Sequence, residues 1–117
     1  MSTKKKIMKQ IFLLFIIFDV TIKTHTGIAS FYSDKFNGRK TANGEIYKKN
    51  KMTGASNIFK FGDTVLVTNL SNNKSVKVRI NDRIGHSGRI IDLSRIAADS
   101  LDFINKGTTK VKVELIK

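Results

Sequence analysis

From Gly27 onward the chain alternates short apolar runs with clusters of turn residues. "GIASFY" (27–32) predicts a first strand, and "NGRKTANGE" (37–45) a loop whose Asn43-Gly44 is a strong tight-turn dipeptide. "DTVLVTNL" (63–70) predicts a strand, its continuous Val65, Leu66 and Val67 fitting burial on both faces. After the turn "SNNK", "SVKVRIN" (75–81) returns with strict alternation, and "RIID" (89–92) is a further short strand. "SRIAADSLDFI" predicts a helix over about 94–104, with Ser94 as N-cap and Ile96, Ala97, Leu101 and Ile104 near one face. "TTKVKVELI" (108–116) closes with alternation at Val111, Val113 and Leu115.

The pattern is mainly β. "GDTVLV" (62–67) and "GTTKVK" (107–112) both place Thr two positions after Gly and then enter a strand. This echo fits a small barrel of two similar halves, and closing a barrel leaves no exposed strand edge.

The N-terminal stretch differs. "MSTKKKIMKQIFLLFIIFDV" begins with Lys4, Lys5, Lys6 and Lys9 and continues with eight apolar residues from Ile11 to Phe18. That is the layout of a secretory signal, and far short of the roughly 20 residues that span a bilayer. "TIKTHTG" offers no small-x-small cleavage site. The expected division is therefore 1–26 as signal peptide or uncleaved N-terminal anchor, and 27–117 as one barrel domain. The protein is expected to be secreted, with no membrane span beyond that anchor.

Composition narrows the chemistry. The net charge is +13, of which 27–117 carries +9 from seventeen basic and eight acidic residues. This balance favours anionic partners, but the lysines are scattered and form no helical stripe. No Arg–aromatic cluster of the kind single-strand binders use is present, and no nucleic-acid partner is expected. The chain has no cysteine, and its two histidines are His25 and His86, so neither a metal site nor a cofactor is expected.

Three acids invite a chemical reading. Val76, Val78 and Ile80 set the inward parity of their strand, and the next inward position is Asp82, with Arg79, Arg83 and Arg89 nearby. A carboxylate there would sit at a barrel mouth, where desolvation and guanidinium charges tune it for proton transfer. Equally, "NDR" is a turn in which Asp82 bonds its own backbone. Asp92 follows an apolar pair just before the helix and fits either a groove or a structural role at the helix start. Glu45, after Asn43-Gly44, is a loop acid or a solvated charge. A pair of carboxylates can cleave a glycosidic bond without metal or cysteine.

Together, "GIASFYSDKFNGRKTANGEIY", "MTGAS", "GDTVLVTNLSNNKSVKVRINDR" and "GRIIDLSRIAADSL" resemble the RlpA-like (rare lipoprotein A) family. The resemblance runs from about Gly27 to Leu115 and implies a six-stranded double-psi β-barrel with one short helix. It implies a lytic transglycosylase acting on peptidoglycan glycan strands stripped of their stem peptides. Glu45, in T-A-N-G-E, and Asp82, in R-I-N-D-R, are the implied catalytic residues. Asp92, in I-D-L-S, is implied to lie in the polysaccharide groove, with Tyr32, Ser56, Arg79 and Arg83 as further substrate-binding positions. Ser56 stands where the family usually has His, and "IGH" replaces the common G-P-F after N-D-R. The expectation is that Glu45, Asp82 and Asp92 line one open furrow, with arginines that hold Asp82 charged or grip the glycan. The alternative is a non-catalytic, expansin-like glycan-binding module using the same groove.

Overall fold

The structure is a computed structural model that describes residues 24–116. Six strands and one helix follow in order: β1 (Thr24–Phe31), β2 (Thr53–Ala55), β3 (Thr64–Asn69), β4 (Ser75–Asp82), β5 (Ile91–Leu93), α1 (Arg95–Ser100) and β6 (Thr109–Ile116). The strands close into a barrel in the order β1-β5-β2-β4-β3-β6. β1–β5 and β2–β4 are parallel pairs, and the remaining neighbours are antiparallel. No helix among the described residues is long and apolar enough to cross a membrane.

The alternation read from the sequence becomes the barrel's inside and outside. Val65, Val67, Val78, Ile80, Ile91, Leu93, Val111 and Val113 are all buried and share one core with Ala97, Ala98, Leu101 and Phe103 of the helical segment. Each of the Val, Ile, Leu and Phe side chains among them contributes about 1.5–3 kcal/mol on leaving water. Leu66 is only half-buried, so β3 follows ordinary alternation and is not covered on both faces. The echoed glycines, Gly62 and Gly107, both take positive φ (89° and 83°), and β3 and β6 beyond them pair antiparallel.

Two boundaries move from their expected places. β1 begins at Thr24, ahead of Gly27, because Thr24–Thr26 pair with Lys112–Glu114 of β6. The leader reading otherwise lies outside the described residues. The helix spans Arg95–Ser100 and not 94–104, because Asp102 turns to φ 60° and stops it. The Phe103 N–H then bonds the Ala98 carbonyl (3.2 Å) and the Asp102 N–H that of Asp99 (3.0 Å), which is a Schellman ending. Ser94 does occupy the N-cap position, but its side chain makes no cap bond; its Oγ accepts the Thr53 N–H at 3.5 Å.

Candidate active site

The site is laid out by strand register. Ser30 of β1 pairs with Asp92 of β5, and Ala55 of β2 pairs with Asp92 on one side and Asp82 of β4 on the other. Ser30, Asp92, Ala55 and Asp82 therefore form one transverse row across four strands. The two aspartates are two interstrand spacings apart, about 9–10 Å between Cα atoms. The ladder shifts register between Gly54 and Ala55, so Asn81 is the extra residue on β4. Such a bulge re-aims the residues at a strand end.

Asp82 and Asp92 line a cleft of about 660 Å³, together with Tyr32, Phe36, Tyr47, His86 and a set of lysines and arginines. The Asp82 carboxylate is fixed by three donors. Oδ1 accepts the backbone N–H groups of Ala42 and Arg83, each at 2.9 Å, and Oδ2 accepts the Tyr32 hydroxyl. Tyr32 stacks on the buried Tyr47 with ring centroids 4.3 Å apart. Burial first, then its bond to Asp82, pushes the Tyr32 phenol far above its ordinary value, so it remains a neutral donor. Asp92 is held by the Ser30 hydroxyl on Oδ1 and by His86 Nε2 on Oδ2 at 2.8 Å, with Arg89 Nε 3.6 Å from Oδ1.

Glu45 lies elsewhere. It lines a neighbouring depression of about 430 Å³ with Arg79, Asn81, Lys48, Lys51 and Met52. Its carboxylate takes a bidentate pair from Arg79 (2.7 and 2.8 Å) and a third bond from Asn81 Nδ2 (3.1 Å). The Arg79 bonds, then the Asn81 bond, hold its pKa down at about 2. The Glu45 N–H bonds Asn43 Oδ1 at 3.1 Å, while its carbonyl accepts the Thr41 N–H at 2.7 Å. The Thr41–Glu45 loop thus straddles the end of β4, giving the Ala42 N–H to Asp82 on one side and the Glu45 carboxylate to Arg79 and Asn81 on the other.

This arrangement corrects three expectations. The three acids do not share one furrow: Asp82 and Asp92 share the cleft, and Glu45 is in the next depression. The arginines do not hold the Asp82 side chain. Arg79 is committed to Glu45, Arg89 to Asp92 and His86, and Arg83 Nη1 donates to the Ser56 and Phe59 carbonyls while its guanidinium lies 3.8 Å over the Phe61 ring. Arg83 reaches the Asp82 carboxylate through its backbone N–H alone. Ser56 does not open onto the cleft: it is 0% exposed, and its Oγ accepts the Ile58 N–H at 3.1 Å, closing a turn.

Sequence reasoning missed Asn81, Ser30 and the Ala42 N–H. The motifs G-x-A-S-x-Y and R-I-N-D-R contain the first two in plain view, but only strand register brings them to the carboxylates. The Ala42 donor is main chain and leaves no compositional signal.

The closed order of six strands, with two parallel pairs and this row at its mouth, makes the molecule a double-psi β-barrel. The solved structures it resembles include the Streptomyces papain inhibitor, at TM-score 0.66 and 19% identity over 80% of this chain and 94% of that one. A Clavibacter michiganensis expansin resembles it at TM-score 0.64 and 20% identity over 80% of this chain and 50% of that one. These likenesses show the fold alone. A family model described as lytic transglycolase matches residues 24–113, and the chain belongs to that family. It is 55% identical over 92 residues to the endolytic peptidoglycan transglycosylase RlpA of Pasteurella multocida, covering 78% of this chain and 31% of that protein. It is 50% identical over 94 residues to RlpA of Neisseria meningitidis serogroup A, covering 80% of this chain and 39% of that protein. The chain thus spans less than half the length of these relatives.

Proposed function

We propose that this barrel is the catalytic module of an endolytic peptidoglycan lytic transglycosylase working outside the inner membrane, in the cell envelope. It cleaves the bond between N-acetylmuramic acid and N-acetylglucosamine in strands lacking stem peptides and leaves 1,6-anhydro ends. The single observation that carries the reading is Asp82: a carboxylate at the wall of an open cleft, oriented by three neutral donors.

The reaction needs one proton delivered and one removed. In this reading Asp82 delivers the proton to the bridging oxygen as the muramic acid C1–O4 bond breaks. The resulting carboxylate is stabilised by Tyr32 and the two N–H groups. It then takes the proton of the muramic acid C6 hydroxyl as the O6–C1 bond forms. Atoms balance without water, and the enzyme returns to its starting state. Glu45, held ionised by Arg79 at about 2, has no proton to give near neutral pH. Its support to the reaction is positional: it fixes the loop that aims the Ala42 N–H. Asp92 and Tyr32 serve as substrate-facing groups.

The test is digestion of peptide-free glycan strands by the purified protein, with mass spectrometry of the ends. Anhydro ends from the wild type that vanish in Asp82→Asn support the reading. A folded wild type that yields none overturns it. If strands still bind, and binding survives Asp82→Asn and Glu45→Gln, the non-catalytic glycan-binding reading takes its place.

A further inference from the structure

The cleft's charge is unbalanced in a way the reaction does not use. Five lysine and arginine side chains line it, Lys35, Arg39, Lys40, Arg83 and Arg89, against two carboxylates. Both carboxylates are already bonded on each oxygen, and Arg83 and Arg89 have partners of their own. Among the described residues, none of Lys35, Arg39 and Lys40 has a carboxylate within ion-pair distance. All three are exposed at the rim.

Two of the three are positioned. Lys35 Nζ lies 5.4 Å and the Arg39 guanidinium 5.1 Å from the centre of the Phe36 ring. Phe36 ends a single 3-10 turn (Asp34–Phe36), and Gly38 at φ 93° bends the chain so that Arg39 returns over the same ring. Phe36 meets Tyr32 edge-on with centroids 6.0 Å apart, and Tyr32 carries the bond to Asp82. An unbroken run of side chains therefore links the proton-handling carboxylate to a cation-flanked aromatic ring on the same cleft wall. The guanidinium held over the ring offers paired donors to a carboxylate, and the ammonium over the same ring adds a second positive charge.

We infer that Lys35, Phe36 and Arg39 form a specificity subsite that reads the free lactyl carboxylate of N-acetylmuramic acid. This inference rests on the glycan reading above and deepens it. In a strand without stem peptides that carboxylate is free and anionic. In a strand bearing peptides the same carbonyl is an amide, which has no charge for Arg39 or Lys35 to meet. Selectivity for stripped strands then comes from charge recognition and not from steric exclusion of the peptide.

Chemistry can separate the two causes, because the lactyl carboxylates of stripped strands can be coupled to methylamine, removing charge while adding almost no bulk. Both substrates are given to the wild type, to the Lys35→Glu/Arg39→Glu double variant and to Phe36→Ala, at low and high salt. We expect the wild type to favour free-acid strands by about tenfold or more in kcat/KM, mainly through KM, with the preference shrinking as salt rises. The double variant should lose that preference, its kcat/KM falling much further on the free-acid strands than on the amidated ones. Equal cleavage of both substrates by the wild type would overturn the inference while leaving the transglycosylase reading intact. A double variant that falls equally on both does the same. If the wild type cleaves neither substrate, the reaction reading fails, and binding of the two strands by calorimetry still decides the subsite. Preferential binding of free-acid strands supports it, and equal binding, or equal uptake of heparin and DNA, overturns it.

Discussion

At the end of β4, neighbouring residues meet carboxylates under contrasting conditions. On one side Arg79 and Asn81 clasp Glu45 with a full countercharge. On the other, Asp82 is met by a phenol and two backbone amides, none of which carries charge. Neutral donors orient a carboxylate without neutralising it, whereas a bidentate guanidinium commits it to one charge state and one partner. Under the proposed function the contrast divides the work between two acids in equally polar sequence surroundings, one facing the substrate and the other holding the loop.

The largest effect expected from breaking this contrast is at Asp82. Asp82→Asn keeps the shape and both backbone donors but removes the transferable proton, and should lower the rate on stripped strands by about 10²–10⁴-fold with an unchanged melting temperature. Next comes Tyr32→Phe, which removes the one side-chain donor. A hydrogen bond to a charged group is worth about 1.5–3 kcal/mol, so the rate should fall roughly tenfold or more, with KM moving little. Glu45→Gln should cost only a few-fold in rate and at most a few degrees of melting temperature, since exposed ion pairs contribute little. A Glu45→Gln loss as deep as that of Asp82→Asn would erase the distinction drawn between them.

The smallest and most diagnostic effect is acid sensitivity. Glu45 sits at about 2 in the folded protein against an ordinary 4.5, so the unfolded chain takes up this proton first. The stabilisation is fully present above pH 4.5 and drains away as pH falls toward 2. Amide exchange at Ala42 and Gly44 should quicken across that window in the wild type, relative to a distant strand, and the window should be missing in Glu45→Gln.

Much of the scaffold was legible in the residue pattern, and the reasons are local. Val76, Val78 and Ile80, and Val111 and Val113, alternate because one face of each strand is core, so their strands could be read directly. β2 is only Thr53–Ala55, fully buried and without alternation, so nothing periodic announces it. The helix overran in the reading because Asp102, not glycine, takes the left-handed turn that ends it. At the site, parity placed Asp82 toward the barrel mouth, position in a loop and before the helix drew out Glu45 and Asp92, and motif resemblance supplied their expected roles. Which acid meets which donor was out of reach, because that depends on the loop 41–45 crossing β4 and on partners such as Ser30 and Asp92, 62 positions apart. The destinations of Arg79, Arg83 and Arg89 followed the same rule: proximity in sequence to Asp82 said nothing about which carbonyl or carboxylate each would find.

Ala55 has a consequence beyond its size. Because both aspartates are its ladder neighbours, the gauge between them is fixed by main-chain spacing, as rungs fix the rails of a ladder. The surface segments around the opening can be lengthened, shortened or re-lettered to suit a different polymer while that gauge stays constant.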